Sequence, residues 1–140
     1  MTATLEDIMC EHPIKVNEDV SIGSAAHLLL RYRINGVLIV SRDNEDELIG
    51  VFTTTDALRL IDEAFSTKIK KAAQLKKFAE MKVGEVSRKE VITFQKDVSV
   101  AKAIAIMRRK KVHTLPVFDG DKLVGVVGRH DLLNVALSLD

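Results

Sequence analysis

The feature that most constrains this chain is that it is written twice. Asp19-Val20-Ser21-Ile22 returns as Asp97-Val98-Ser99-Val100 at an offset of 78, and Leu48-Ile49-Gly50-Val51 returns as Leu123-Val124-Gly125-Val126 at an offset of 75. The difference is a loop three residues longer in the first half. Whatever one half folds into, the other must fold into as well, and neither need bury its apolar face alone.

The repeat ends in Gly50-Val51-Phe52-Thr53-Thr54-Thr55-Asp56 and in Gly125-Val126-Val127-Gly128-Arg129-His130-Asp131. Each reads as a strand, a turn and the start of a helix. A hydroxyl in one copy, or bare glycine backbone in the other, stands three residues before an aspartate in the first helical turn. Free N–H groups at a helix start attract an anion such as phosphate. A carboxylate in that turn can accept hydrogen bonds from sugar hydroxyls. Phosphate and sugar together point to a nucleotide. The same spacing is also a capping box, which needs no ligand. The second copy separates the two readings, because Arg129 and His130 put cations where the helix dipole is positive. That placement is unfavourable by roughly 0.3–1 kcal/mol unless an anion visits.

Composition narrows the partners. With 21 basic and 20 acidic side chains the formal net charge is +1, so no global field recruits nucleic acid or membrane. Cys10 is the only cysteine, which excludes an internal disulfide and fits a reducing compartment. The acidic N-terminus lacks the pattern of a signal peptide, and no apolar run approaches the ~18 residues of a membrane span. A soluble cytoplasmic protein is expected. Aromatic residues make up 4% of the chain, too few for stacking platforms on single-stranded nucleic acid.

Taken in order, each half opens with a short strand, Pro13–Val16 or Val91–Phe94. Ser21 and Ser99 then cap helices whose buried stripes are Ile22, Ala25, Ala26, Leu29 and Val100, Ala103, Ile104, Met107. Basic clusters, Arg31-Tyr32-Arg33 and Arg108–Lys111, suit the negative helix ends. Val37–Val40 and Leu115–Phe118 read as buried strands, with Pro116 expected at a strand start or edge. A tight turn at Asp119–Lys122 makes a hairpin with Leu123–Val127, and Arg42–Glu47 is the longer, solvated equivalent. The closing helix, Leu132–Leu139, is apolar at six of eight positions, more than one core explains. It is expected to pack on a second copy of the chain. Between the halves, Ser66–Lys82 carries Lys68, Lys70, Lys71, Lys76, Lys77 and Lys82 against the single acid Glu80 and reads as a basic helical connector. The division is therefore 1–65, 66–82 and 83–140.

This pattern resembles the CBS domain, the module named after cystathionine β-synthase, here as a stand-alone tandem (Bateman-type) pair. The likeness rests on Asp7-Ile8-Met9, Gly50–Asp56, Leu115–Asp119 and Gly125–Asp131, and covers roughly 5–65 and 83–139. It implies an α/β fold of two pseudo-symmetric β-α-β-β-α units, clefts between the paired units, and a disc-like homodimer through the motif-following helices. Family members commonly bind AMP, ADP, ATP or S-adenosylmethionine, with Mg²⁺ accompanying ATP and no cofactor required. Carried across by position, Asp56 and Asp131 hold ribose hydroxyls and Thr53 faces phosphate. The backbone at Ile14-Lys15 and Ile92-Thr93 lines adenine. Gly128 departs from the family's threonine or serine, Arg129 substitutes by charge, and His130 lies beside it. Leu38 stands where the second half has Pro116, so the two clefts are not equivalent, and the one using Asp131 with Arg129 is the expected site.

Three functions of different classes follow. One is a sensor that binds an adenosine-containing ligand in the inter-unit cleft and signals to a partner protein in trans. Another is a ligand-free homodimerising scaffold or protein-interaction module in which the aspartates only cap helices. The third is nucleic-acid binding through the connector lysines, disfavoured by the balanced charge. An enzyme is not expected. His12, His27, His113 and His130 are scattered without a metal-ligand spacing, and Met9-Cys10-Glu11-His12 is only half a soft-metal site. Neither a catalytic nor a metal residue is assigned.

Overall fold

The computed structural model describes residues 3–66, 71–87 and 90–138. In chain order its elements are α1 (Leu5–Ile8), β1 (Lys15–Asn17), α2 (Ile22–Tyr32), β2 (Gly36–Val40), β3 (Leu48–Thr53), α3 (Thr54–Phe65), α4 (Lys71–Glu80), α5 (Val83–Val86), β4 (Phe94–Gln95), α6 (Val100–Lys110), β5 (Thr114–Asp119), β6 (Lys122–Gly128) and α7 (Arg129–Leu137). They form two compact units, Ile14–Val91 and a second made of Met1–Pro13 with Ile92–Asp140. The mixed α/β class and the β-α-β-β-α order of each half are as the sequence indicates.

Each unit holds a three-stranded sheet, β1-β2-β3 or β4-β5-β6, whose first pair is parallel and second antiparallel. A parallel pair needs a long crossover, and α2 and α6 supply it. Both start at serine caps: Ser21 Oγ accepts the Ser24 N–H at 3.1 Å and Ser99 Oγ the Lys102 N–H at 3.2 Å. Of the expected stripes, Ile22, Ala25, Leu29 and Val100, Ala103, Met107 are buried, while Ala26 and Ile104 are only partly buried against the cores. Val37, Ile39, Phe52, Leu60 and Val83 complete one core; Leu5, Leu115, Val117, Val127 and Leu132 complete the other. Both helices end left-handed, at Arg33 (φ 51°) and Lys111 (φ 56°). Glycine is the usual residue for that conformation, so the basic clusters did not announce it.

The second hairpin turns at Gly120 (φ 62°), between the paired Asp119 and Lys122, where a two-residue turn needs a positive φ. The longer loop of the first hairpin is a series of tight turns, with Ser41 and Glu47, Asn44 and Ser41, and Glu47 and Asn44 joined through their backbones. Arg42 reaches out of it to Asp19 at 2.8 Å.

Two expectations need correction. The opening strands begin later than Pro13 and Val91, at Lys15 and Phe94. Pro116 is neither at a strand start nor on an edge strand, but inside β5, the central strand, opposite Val126. Pro116 accounts for the difference between the two ladders. In the first unit Leu38 N–H donates to the Ile14 carbonyl at 3.1 Å, and the β1–β2 ladder starts at Lys15↔Leu38. The repeat offset of 78 puts Pro116 in Leu38's place. Proline has no N–H to give, so the β4–β5 ladder starts one step later, at Phe94↔Val117.

The compact units do not follow chain order. Leu5 N–H donates to the Val98 carbonyl at 2.9 Å and Val100 N–H to the Ala3 carbonyl at 3.0 Å, which ties α1 to the start of α6. At the matching positions Val83 N–H donates to the Val20 carbonyl at 2.7 Å and Ile22 N–H to the Met81 carbonyl at 2.8 Å. Each repeat's opening helix thus packs in the unit built by the other repeat's sheet. The N-terminal segment continues along β6, where Cys10 and Val126 exchange backbone hydrogen bonds of 2.9 and 3.1 Å. A side chain at Gly125 would meet the Met9 sulfur at 2.6 Å and the Cys10 carbonyl at 2.8 Å, so only glycine lets the two strands approach. Lys96 Nζ closes the arrangement between Glu6 (3.0 Å) and Asp119 (3.2 Å). The hydrogen bond to Glu6, then that to Asp119, raises the Lys96 pKa above its ordinary 10.5. The clamp's contribution is complete below that ordinary value and is lost as pH rises through the raised one.

Within the connector, α4 packs on α2 and α3. Phe78 and Met81 meet the core, and Lys82 pairs with Asp19 at 3.2 Å. The readings on Lys68, Ile69 and Lys70, on the side chain of Lys71 and on Leu139 lie outside the described residues. Among the described residues no helix is long and apolar enough to cross a membrane.

Leu5 is fully buried although α1 has only four residues. Leu5→Ala should therefore cost about 2–5 kcal/mol, as for a core leucine. Urea unfolding measures this, and a loss within ~0.5 kcal/mol, the size of a surface effect, would mean that the N-terminal segment does not build the core.

Candidate functional site

In each copy of the closing motif, the sheet's last strand runs straight into a helix, and an aspartate reaches back to the strand. Asp56 Oδ2 accepts the Thr53 N–H at 2.8 Å, and Asp131 Oδ2 accepts the Gly128 N–H at 2.8 Å. Thr53 and Gly128 are both extended, with φ of −117° and −100°. The carboxylate thus satisfies one backbone donor and presents negative charge to the helix start, both favourable.

Beyond that shared bond the copies diverge. Asp56 is only 2% exposed. Its Oδ2 also accepts the Thr53 hydroxyl at 2.9 Å, that hydroxyl accepts the Asp56 N–H at 3.3 Å, and Arg59 Nη2 stands 3.7 Å from Oδ1. Thr53 and Asp56 therefore hold each other in a complete capping box, closed by Arg59 one turn on. Arg59 was missed in the sequence, although its i,i+3 spacing from Asp56 is a recognisable pairing distance.

Asp131 is partly buried, and among the described residues its second oxygen has no partner. Gly128 offers no hydroxyl. A side-chain carbon added there would meet only Asp131 Oδ2 at 3.6 Å and the His113 carbonyl at 3.8 Å, ordinary contacts. Neither φ nor crowding demands glycine, so its effect is to leave the strand end and the first helical N–H groups uncovered. Arg129 and His130 are both exposed in the first turn of α7. Arg129 and His113 line a groove of about 340 Å³ between α6 and α7, whose wall is otherwise apolar apart from Arg108.

Ile14, Lys15, Ile92 and Thr93 lie at the sheet starts. Lys15 is the first residue of β1, and the Ile14 carbonyl takes the Leu38 N–H. Ile92 and Thr93 precede β4, and Pro116 leaves the Ile92 carbonyl without the corresponding donor. In the Ile14–Val91 unit the structure gathers Thr53 with Asp56; in the other it gathers Gly128 with Asp131 and exposes Arg129 and His130. Among the described residues no three His, Cys, Asp or Glu side chains converge as a metal site, and Cys10 Sγ lies 3.6 Å from the His12 carbonyl.

The family model of the CBS domain matches residues 5–63 and 83–138. The chain belongs to the CBS domain family. It is 29% identical over 129 residues to inosine-5'-monophosphate dehydrogenase of Methanocaldococcus jannaschii, covering 91% of this chain and 22% of that one. The chain thus spans about a fifth of the dehydrogenase. Among solved structures, the CBS domain pair of protein MJ0100 in complex with 5'-methylthioadenosine and S-adenosyl-L-methionine superposes with a TM-score of 0.78 at 23% identity, covering 97% of each chain. CBSX2 in complex with AMP superposes with a TM-score of 0.74 at 24% identity, covering 96% of each. At these identities the likeness is one of fold.

The two CBS motifs should respond differently to loss of the aspartate. Asp56→Ala should cost about 1–2 kcal/mol, because it opens a buried box and orphans two donors. Asp131→Ala should cost about half as much or less, since one hydrogen bond of about 1 kcal/mol is lost at a more open site. Urea midpoints of the two variants test the difference; equal losses would mean that Asp131 is as fully engaged as Asp56.

Proposed function

We propose that the chain is a regulatory module that binds an adenosine-containing ligand at the Gly128–Asp131 strand-to-helix junction and signals to a partner protein. The observation that carries the reading is the contrast between the two aspartates, one sealed in a capping box and one with a carboxylate oxygen free among the described residues. That oxygen can accept from a ribose hydroxyl. The uncovered N–H groups of α7, with Arg129 and His130 exposed beside them, suit a phosphate or another anionic group. The Ile92 carbonyl, given no donor by Pro116, can accept the exocyclic amine of adenine, with Thr93 next to it. The ligands named for MJ0100 and CBSX2 are of this chemical class. The chain acts through binding and not through catalysis. AMP, ADP, ATP and S-adenosylmethionine are the candidates, with Mg²⁺ accompanying ATP. The reducing cytoplasm suits such a ligand and the lone thiol.

The scaffold reading has its own support at the other copy. There Thr53 and Asp56 occupy each other, so that motif serves the fold, and Ile14 and Lys15 are held in the ladder. The chain also pairs as a homodimer through α3 and α7. Leu58, Ile61 and Phe65 on α3 and Leu133 and Leu137 on α7 are large apolar side chains left 40–83% exposed.

Thermal unfolding against AMP, ADP, ATP, S-adenosylmethionine and GTP tests the ligand. At a hundred times its dissociation constant a ligand adds about 2.7 kcal/mol, which raises the midpoint of a chain this long by on the order of 10 °C. The expected result is a shift with an adenosine ligand that Asp131→Ala abolishes, Pro116→Leu reduces and Asp56→Ala preserves. No shift with any of them would leave the scaffold as the function.

A further inference from the structure

The cores of the two repeats match, but one side of the helix pair does not. In the unit made of Met1–Pro13 with Ile92–Asp140, α6 and α7 leave a groove of about 340 Å³ between them. Met107 and Leu132, 7% and 5% exposed, form its floor, with Ile104 and Val112 partly buried beside them. The exposed side chains of Arg108, His113 and Arg129 also line it. The offsets of 78 and 75 carry Arg108, His113 and Arg129 to Leu30, Asn35 and Thr54, and Ala136 to Ile61. The first repeat thus builds the same helix pair with no charge at these positions, and with a large side chain where the groove has alanine. The fold requires neither the gap nor the three cations.

Nothing in the protein answers that charge. The α6 helix has no acid, and the one acid of α7, Asp131, accepts the Gly128 N–H and is not part of the groove. Among the described residues none of the three side chains forms an ion pair. Cations gathered over an apolar floor attract an anion, and the low-dielectric wall strengthens the attraction. The rest of the lining is apolar, so a base or sugar placed there would lose its hydrogen bonds to water without replacement. An apolar tail would lose nothing. The volume lies at the small end of the ~300–1,000 Å³ of small-molecule sites, which suits one short tail.

We infer that the α6/α7 groove is a second ligand site, for a compact amphiphilic carboxylate. Its tail lies on Met107 and Leu132, and its carboxylate is taken by Arg108 and Arg129 with His113 beside them. A guanidinium matches a carboxylate with two parallel N–H donors, which gives the head group its selectivity. Ala136 makes the room that Ile61 fills in the first repeat. Arg129 belongs to both this groove and the Gly128–Asp131 junction; the remaining contacts are separate, and the ligand is of a different class from a nucleotide.

Isothermal titration of the full chain with octanoate, kept below its micelle concentration, tests the site. Saturable binding of one octanoate per chain is expected. Octanol, which keeps the tail, and acetate, which keeps the carboxylate, should each bind at least about tenfold more weakly, or 1.4 kcal/mol. Ala136→Phe, which fills the groove, should abolish binding, and Arg108→Gln should weaken it several-fold. Should Ala136→Phe fail to fold, as urea unfolding would show, Arg108→Gln carries the test. Neither variant should change the midpoint shift given by an adenosine ligand, so the two readings fail separately. Octanol bound as tightly as octanoate, octanoate bound unchanged by Arg108→Gln, or no saturable binding at millimolar concentration would overturn the inference. So would Ala136→Phe weakening self-association in sedimentation while the unaltered chain binds no octanoate, since a second chain would then be what fills the groove.

Discussion

A carboxylate bonded back to the last N–H of a strand, at 2.8 Å in both repeats, fixes how each sheet hands the chain to its closing helix. Everything around the candidate site depends on that turn. It sets the direction of α3 and α7, and so which residues they bury and which they expose. It also decides what chemistry remains at the junction, because a carboxylate has two oxygens and only one is needed for the turn. In the first repeat a hydroxyl, an arginine and burial take up the rest; in the second, glycine leaves it open. A duplicated fold has thus kept one interaction for structure and released part of its copy.

The same economy shows at the opposite end of each sheet. Leu38 and Pro116 occupy one position, and the loss of a single N–H shortens β4 by a residue and leaves the Ile92 carbonyl without a sheet donor. Both differences fall in the same unit, Met1–Pro13 with Ile92–Asp140, and both leave polar backbone or side-chain atoms without a partner among the described residues. Neither costs the core anything, since Leu115, Val117 and Val127 remain fully buried. The adenosine-binding function proposed for one repeat rests on these two substitutions and not on any difference in packing.

Much of this was legible in the sequence because repetition doubles every signal. The serine caps, the buried stripes of α2 and α6, the hairpins and the Gly-x-x-x-x-x-Asp motif each appear twice, and the structure has them where the spacing indicates. What could not be read depends on contacts distant in the chain. Leu5 and Val83 sit in four-residue helices too short to show a period, yet each is fully buried in the unit built around the other repeat's sheet. Pro116 reads as an edge residue unless it is known that its neighbour's ladder starts one step late. The left-handed Arg33 and Lys111 have side chains that say nothing of φ. The closed state of Asp56 needed Arg59, and the groove beside Arg129 needed the pairing of α6 with α7.

The most direct measurement is an amide NMR titration of the protein with AMP. If the open carboxylate and the freed carbonyl make the site, the largest shift changes fall on Gly128, Arg129, His130, Thr93 and Phe94, while Thr53 to Asp56 hardly move. Equal movement of the two motifs, or no movement at Gly128 to His130 at millimolar AMP, would contradict the account.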